Sequence, residues 1–536
     1  ELAIDRIATT RSFTLALSLA VLGFVAYSYV PMATGGGYVH PDVGETLLVS
    51  ANLIENGAIV VEEPLNDLFE YDLFTRQASA SLHEDRSKIV PVGYLGRYLL
   101  YGASLGLGEL APFLLTSLLG SVSVVGFYLV LKEAFGSEGV ALLGSGILAF
   151  FPSLMYWSST ILANVPALAG YIASLYGATR ALKTGELKWY VATAMLMAAT
   201  IFLRYEYVVA AVIVILFALA TRDAVKIRYL LVAILVGILS LTPIPVLNQL
   251  IYGEALTVGY IQSGASVEAG LSEIVSPPGP NPITLATNFR IEYLQRYPHI
   301  ILMSLAGIVL VLKGRGKMES IQRFFLASTL GFSLFLLYWF GVADGYAGYG
   351  TDILISSYSR YLMPTFLPLI ALSAFSLNRL VRRLAGWKSA NPRGSSAILL
   401  VTVLLAANTL WSVSYATTAP FGLQWMGETA QEWKGISETV ERTTPSDAVI
   451  ITDLYSTVVL SRKVLWPYRM PLDDIDEKLP NYVRTLLEMD RPVYLLEEPR
   501  HPWYLDIEST MRENGQFSLT VVNEEPRIVR VNTPKM

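Results

Sequence analysis

The chain has 536 residues, 53% of them hydrophobic and 15% charged, with a formal net charge of −5. With a positive mean hydropathy, this composition excludes a single soluble core and indicates a polytopic membrane protein. It implies no nucleic-acid partner. There is no cysteine, hence no disulfide framework and no thiolate metal site, and His40, His83, His299 and His501 show no paired ligand spacing.

Residues 12 to 31 form an uncharged apolar run of the length needed to cross a ~30 Å hydrocarbon core as a helix. The run is long for a signal peptide, lacks a small-x-small cleavage site and precedes many further spans. The chain begins with Glu1 instead of Met, so a missing or trimmed N-terminus is expected.

A long acidic loop follows, with Asp42 in His40-Pro41-Asp42-Val43-Gly44-Glu45. The segment after it, through Ile54 and ending at Asn56-Gly57, has the pattern of an amphipathic helix lying along the membrane interface. A carboxylate at its start would sit against the positive end of the helix dipole. It is either the helix cap, which Asp serves well, or a catalytic base where a lipid-linked and a water-soluble substrate meet. Most of the other acids of this loop are expected to form a solvated face.

Further apolar runs fall near 111–131, 138–157, 163–181, 189–203, 206–220, 229–250, 298–312, 321–341, 362–379 and 396–415, making about eleven spans. Lys and Arg cluster in every second loop, for example Arg180, Lys183 and Lys188, then Arg222, Lys226 and Arg228. The positive-inside rule then places the N-terminus in the cytoplasm and everything after about residue 417 outside.

Polar groups stand at the outer ends of these runs. Asn164 precedes Pro166 at the start of one and either caps the helix or lines a pocket. Arg204, in Phe202-Leu-Arg-Tyr-Glu-Tyr207, lies between two short runs. It is placed to grip a phosphate, or else to pair with Glu206 or snorkel. Arg290, Arg296 and His299 close the second long loop, 251–297, where Tyr252, Tyr260, Tyr293 and Tyr297 would stack on sugars or anchor the interface. Arg360 immediately precedes the run that begins at Leu362.

Beyond 417 the pattern alternates: helix 428–442, strand 448–453, helix 474–489, strand 493–496, helix 503–514 and a hairpin from Phe517 to Val531. This reads as a small extracytoplasmic α/β domain with parallel pairing of its earlier strands. Asp447 and Asp453 are turn and strand-end residues in this reading. The expected fold is an α-helical polytopic membrane protein, with a transmembrane domain over 1–416, including the external loops 32–110 and 251–297, and an external domain over 417–536.

The order of these features resembles the GT-C glycosyltransferases, membrane enzymes that use polyprenyl-phosphate sugars, and in particular the protein O-mannosyltransferases and the lipid A aminoarabinose transferases. The residues that carry the resemblance are Asp42 with Ser50-Ala-Asn-Leu-Ile-Glu-Asn-Gly57, Tyr128 to Gly136, Phe151 to Ser159 leading to Asn164-Val-Pro-Ala, Phe202-Leu-Arg-Tyr205, Asn248 to Gly253 with Gly259-Tyr260, and Ser359-Arg-Tyr-Leu-Met-Pro364. Two departures stand out. Val43 takes the place of a second adjacent acid, for which Glu45 is a possible accessory acid, and Asn164 stands where many relatives carry an acid. There is no Trp-Trp-Asp motif, which disfavours whole-glycan transfer to asparagine.

The resemblance implies one inverting displacement, with Asp42 as base and Arg204 and Arg360 holding the departing phosphate, Arg296 and His299 as second choices, and Asn164, Tyr205, Tyr260 and Tyr361 lining the substrate pocket. The implied partners are a polyprenyl-phosphate-linked sugar, a protein, lipid or glycan acceptor, and membrane lipid. No cofactor is specified. A divalent metal is compatible with the family, but one good acid is too few to define its site. The alternative from another class is a transporter or flippase of lipid-linked sugars, which would be expected to show internal repeats and mid-membrane charges.

Overall fold

The computed structural model describes residues 2–76, 79–82, 85–221, 225–257, 259, 281–314, 318–341, 354–388, 393–452, 456, 458–497, 507–513 and 517–533. These group into two compact units, one of Glu1–Ala33, Pro112–Ile244 and Leu271–Trp425, the other of Thr34–Ala111, Pro245–Gly270 and Met426–Met536.

The first unit is helical. Among the described residues, five helices of the chain are long and apolar enough to cross a membrane: Thr10–Thr34, Ala111–Phe135, Ile227–Tyr252, Ser320–Phe340 and Met363–Leu384. A sixth crossing would come from Pro282–Gln295 with Pro298–Lys313, which meet at a 94° bend. The apolar runs near 138, 189 and 206 form shorter helices, Glu138–Ala149, Leu187–Leu203 and Tyr207–Ala220.

Helices Asn164–Thr184 and Leu187–Leu203 pack closely because glycines face threonines between them. A side chain at Gly170 would meet Thr200 Oγ1, and one at Gly177 would come within 2.6 Å of Thr193 Oγ1. Small residues of this kind let apolar helices approach where lipid gives no hydrophobic drive.

The second unit contains two sheets. Val61–Glu62 and Ser79–Leu82 flank Asp85–Pro91 in a three-stranded antiparallel sheet. The five-stranded sheet has the order 463–465, 449–451, 493–497, 527–532 and 518–523, with the first three strands parallel and the last two antiparallel.

In the acidic loop Glu55, Glu62, Asp67 and Glu70 are exposed, while apolar residues between them turn inward. Leu65, Phe69, Leu73 and Phe74 are buried in one core with Val449, Leu465, Val493 and Val529 of the five-stranded sheet. Buried Arg76 locks the two parts together by donating to the carbonyls of Ser456, Val459 and Arg462. Burial lowers its pKa to about 10.

Candidate active-site residues

In the first unit, the helix Leu187–Leu203 stops at Arg204, whose backbone turns extended (φ −155°, ψ 113°) before Tyr207–Ala220 begins. The break directs the side chain inward, where Arg204 keeps 4% exposure. Its guanidinium pairs with Glu206 and lies 4.7 Å from the centroid of the Tyr361 ring. The pairing weighed from the sequence is present, beside the contact with Tyr361.

Arg360 arrives from the short helix Ser357–Tyr361 and is 5% exposed. Its guanidinium carbon is 5.1 Å from the same Tyr361 ring and 5.3 Å from that of Trp157. Its Nη2 donates to Ser357 Oγ at 3.2 Å and Tyr361 Oη at 3.3 Å. Trp157 is itself fixed by donating from Nε1 to Ser359 Oγ at 2.7 Å, and Phe340 stacks on Tyr361 at 4.5 Å. Aromatic faces stabilise guanidinium groups removed from water. On either side of Trp157, the buried hydroxyls of Tyr156 and Ser158 have no hydrogen-bond partner among the described residues.

The other expected site residues of this unit are held differently. Arg296 is fully buried and pairs with Glu292 at 2.6 Å within and just beyond the π-helical segment Arg290–Gln295. His299 packs edge-on against Trp411 at 4.9 Å. Asn164 is buried at the start of Asn164–Thr184, and Tyr205 lies half-buried in the break beside Arg204. Tyr260, like His83, Asp453 and His501, lies outside the described residues.

In the second unit, the helix Pro41–Asn56 begins with Pro41 and ends at Gly57 in the left-handed conformation (φ +69°), as its sequence suggests. The cap is His40, whose Nδ1 accepts from the Asp42 N–H at 3.2 Å. The same nitrogen lies 3.6 Å from the Asp42 carboxylate. Asp42 thus stands in the first turn with its side chain 29% exposed, without serving as the cap.

Glu45, one turn on, is fully buried. It accepts from Arg97 Nη2 at 2.6 Å and from the Val92 N–H at 3.1 Å, and Arg97 also donates to Tyr98 Oη. Burial pushes the Glu45 carboxyl up to about 7, against the pull of Arg97. The acid considered as a partner for Asp42 is therefore committed to tying two helices, Pro41–Asn56 and Leu95–Leu105. Sequence reasoning missed Arg97. The signal available was a single cation inside the apolar stretch Tyr94-Leu-Gly-Arg-Tyr-Leu-Leu100, which needs a buried counter-charge.

Among the described residues no group of three or more His, Asp or Glu is placed to hold a metal ion.

A family model described as dolichyl-phosphate-mannose-protein mannosyltransferase matches residues 98–247. That segment contains Asn164, Arg204 and Tyr205 but neither Asp42 nor Arg360. Among solved structures, the chain is similar to the archaeal oligosaccharyltransferase AglB from Archaeoglobus fulgidus in complex with an inhibitory peptide and a dolichol-phosphate. The TM-score is 0.56 at 10% identity, over 97% of this chain and 74% of that one. It is similar to ArnT from Cupriavidus metallidurans in the apo state, with a TM-score of 0.55 at 13% identity over 98% of each chain. ArnT bound to undecaprenyl phosphate gives 0.54 at 14% identity, over 96% of this chain and 98% of that one. No curated protein matches the chain. The likeness to GT-C membrane glycosyltransferases thus holds as a fold over nearly the whole chain, and as a sequence match over 98–247.

Proposed function

We propose that the protein is a glycosyltransferase that moves a sugar from a polyprenyl-phosphate carrier to an acceptor at the external face of the membrane. The observation that carries this reading is the placement of two buried arginines, Arg204 and Arg360, against the single ring of Tyr361. Two permanently charged, pre-positioned groups with little water around them suit a phosphate whose charge grows as it departs. The fold supports the choice of ligand, since its relatives hold dolichol-phosphate and undecaprenyl phosphate.

The reaction is a displacement at the anomeric carbon. The acceptor oxygen bonds to that carbon as its bond to the phosphate oxygen breaks, the acceptor proton passes to the Asp42 carboxylate, and polyprenyl phosphate leaves with the bonding electrons. One such step inverts the anomeric centre. Asp42 is the acid of the pair that water and an acceptor can reach, because Glu45 is buried on Arg97. Arg204 and Arg360 hold the leaving group, with Arg296 and His299 in reserve, and Asn164, Tyr205 and Tyr361 line the sugar pocket.

The alternation of cationic loops supports about eleven crossings with the N-terminus inside. The α/β segment after residue 417 would then lie outside and orient a protein, lipid or glycan acceptor. The test is the reaction itself. Purified protein incubated with a panel of polyprenyl-phosphate sugars is expected to release polyprenyl phosphate from at least one. No release from any donor, with movement of the donor across vesicles instead, would overturn the reading.

A further inference from the structure

Within the unit that joins the first long loop to the C-terminal segment, a polar cavity of about 370 Å³ is lined by Glu70, Tyr71, Asp72, Arg86 and Arg469. Four of its five lining side chains are ionisable acids or arginines, so it is no packing defect in an apolar core.

Arg469 is the unusual member. It ends the 3₁₀ turn Pro467–Arg469, lies 5.0 Å over the Trp466 ring, and donates from Nη2 to the carbonyls of Ser79 at 2.7 Å and Arg76 at 3.4 Å. Those acceptors are neutral. Among the described residues no carboxylate is in ion-pair contact with Arg469, and its Nε is buried without a hydrogen-bond partner. Arg86 pairs through Nε with Asp72 at 2.7 Å, and its Nη2 is likewise buried without a partner. Among the described residues these two buried donors, on two cations beside one cavity, have no acceptor, and a ligand with acceptor oxygens would supply one.

The remaining lining groups are fixed by Lys478, whose Nζ binds Glu70 at 2.8 Å, Tyr71 Oη at 3.1 Å and Asp474 at 3.0 Å. Tyr71 in turn donates to Asp474. The cavity therefore offers N–H donors for an anion, carboxylates that accept from hydroxyl groups, and an aromatic ring. Its volume is that of a small-ligand pocket.

We propose that this cavity binds a sugar carrying a carboxylate or a phosphate. Arg469 and Arg86 take the anionic group, and Glu70 and Asp72 accept from the ring hydroxyls. Assigning that sugar to the acceptor rests on the glycosyltransferase reading; the binding itself does not.

The experiment is calorimetric titration of the purified full-length protein, with no lipid donor present, using glucose, glucuronate and glucose 6-phosphate. At least one of the two acids should bind while glucose does not, and which one binds separates carboxylate from phosphate. Arg469→Gln should weaken that binding about tenfold or more. Because Arg469 also holds two backbone carbonyls, Arg86→Gln provides a second test and should weaken binding with little change in thermal unfolding. Binding of neither acid, equal binding of glucose, or binding that survives both substitutions would overturn the proposal. Sugar binding and donor cleavage are read separately, so either can fail alone.

Discussion

Arg204 and Arg360 meet at one ring, with guanidinium carbons 4.7 and 5.1 Å from the centre of Tyr361. Each is delivered by an interruption in helical structure, the break after Leu203 and the short helix Ser357–Tyr361. Both side chains are nearly buried and reach the ring from elements that hold their backbones at a helix end.

This sharing makes their effects on a phosphate ligand interdependent. Arg360→Ala is expected to weaken binding of polyprenyl phosphate by about tenfold or more. With Arg204→Ala it should give a double-mutant cycle that departs from additivity. Additive losses would mean that the two arginines bind separate groups. Tyr361→Phe should retain most affinity and Tyr361→Ala should not, because the ring face is the shared contact.

Arg204 also balances the buried carboxylate of Glu206, which is 8% exposed. Arg204→Ala leaves that charge uncompensated and should cost about 3–5 kcal/mol of stability. Arg204→Ala with Glu206→Ala should recover much of the unfolding temperature without recovering donor affinity. Recovery of both would reduce Arg204 to a structural ion.

Glu45 gives a pH signature. Its folded pKa of about 7 lies above the ordinary carboxylate value of 4.5. Between those limits the folded protein holds a proton that the unfolded chain has released, so stability falls as pH rises through this window and levels off above it. Glu45→Gln should flatten this slope, read from unfolding temperatures at pH 5 and pH 7.5. An unchanged slope would mean that Glu45 stays ionised on Arg97 throughout.

Arg76→Gln should cost about 3 kcal/mol, because three carbonyls, two of them buried, lose a charged donor. Denaturant unfolding of the purified protein measures it, and a loss under about 0.5 kcal/mol would mean that water replaces those bonds.

Local signals in the sequence were strong where chemistry acts over a few residues. The uncharged run 12–31 lies within the helix Thr10–Thr34, and Pro41 and Gly57 bound a helix as start and stop residues should. The strand patterns near 448 and 493 are found as Val449–Ile451 and Val493–Glu497, paired in parallel. The break at Arg204 showed as a polar interruption between two short apolar runs. What escaped depends on distant partners. Strands 61–62 and 463–465 are two and three residues long, too short to show an alternating pattern. Phe69 and Leu73, set among acids, bury their side chains against the C-terminal sheet. No local pattern links Glu45 to Arg97, or brings Arg204 to Tyr361.

The most direct measurement is release of polyprenyl phosphate from its sugar-linked form by the wild-type protein beside Asp42→Asn, with donor binding measured on both. Release is expected from the wild type, and none from a variant that remains folded and binds donor with unchanged affinity. Full release by Asp42→Asn would contradict that expectation and leave the base to be sought elsewhere.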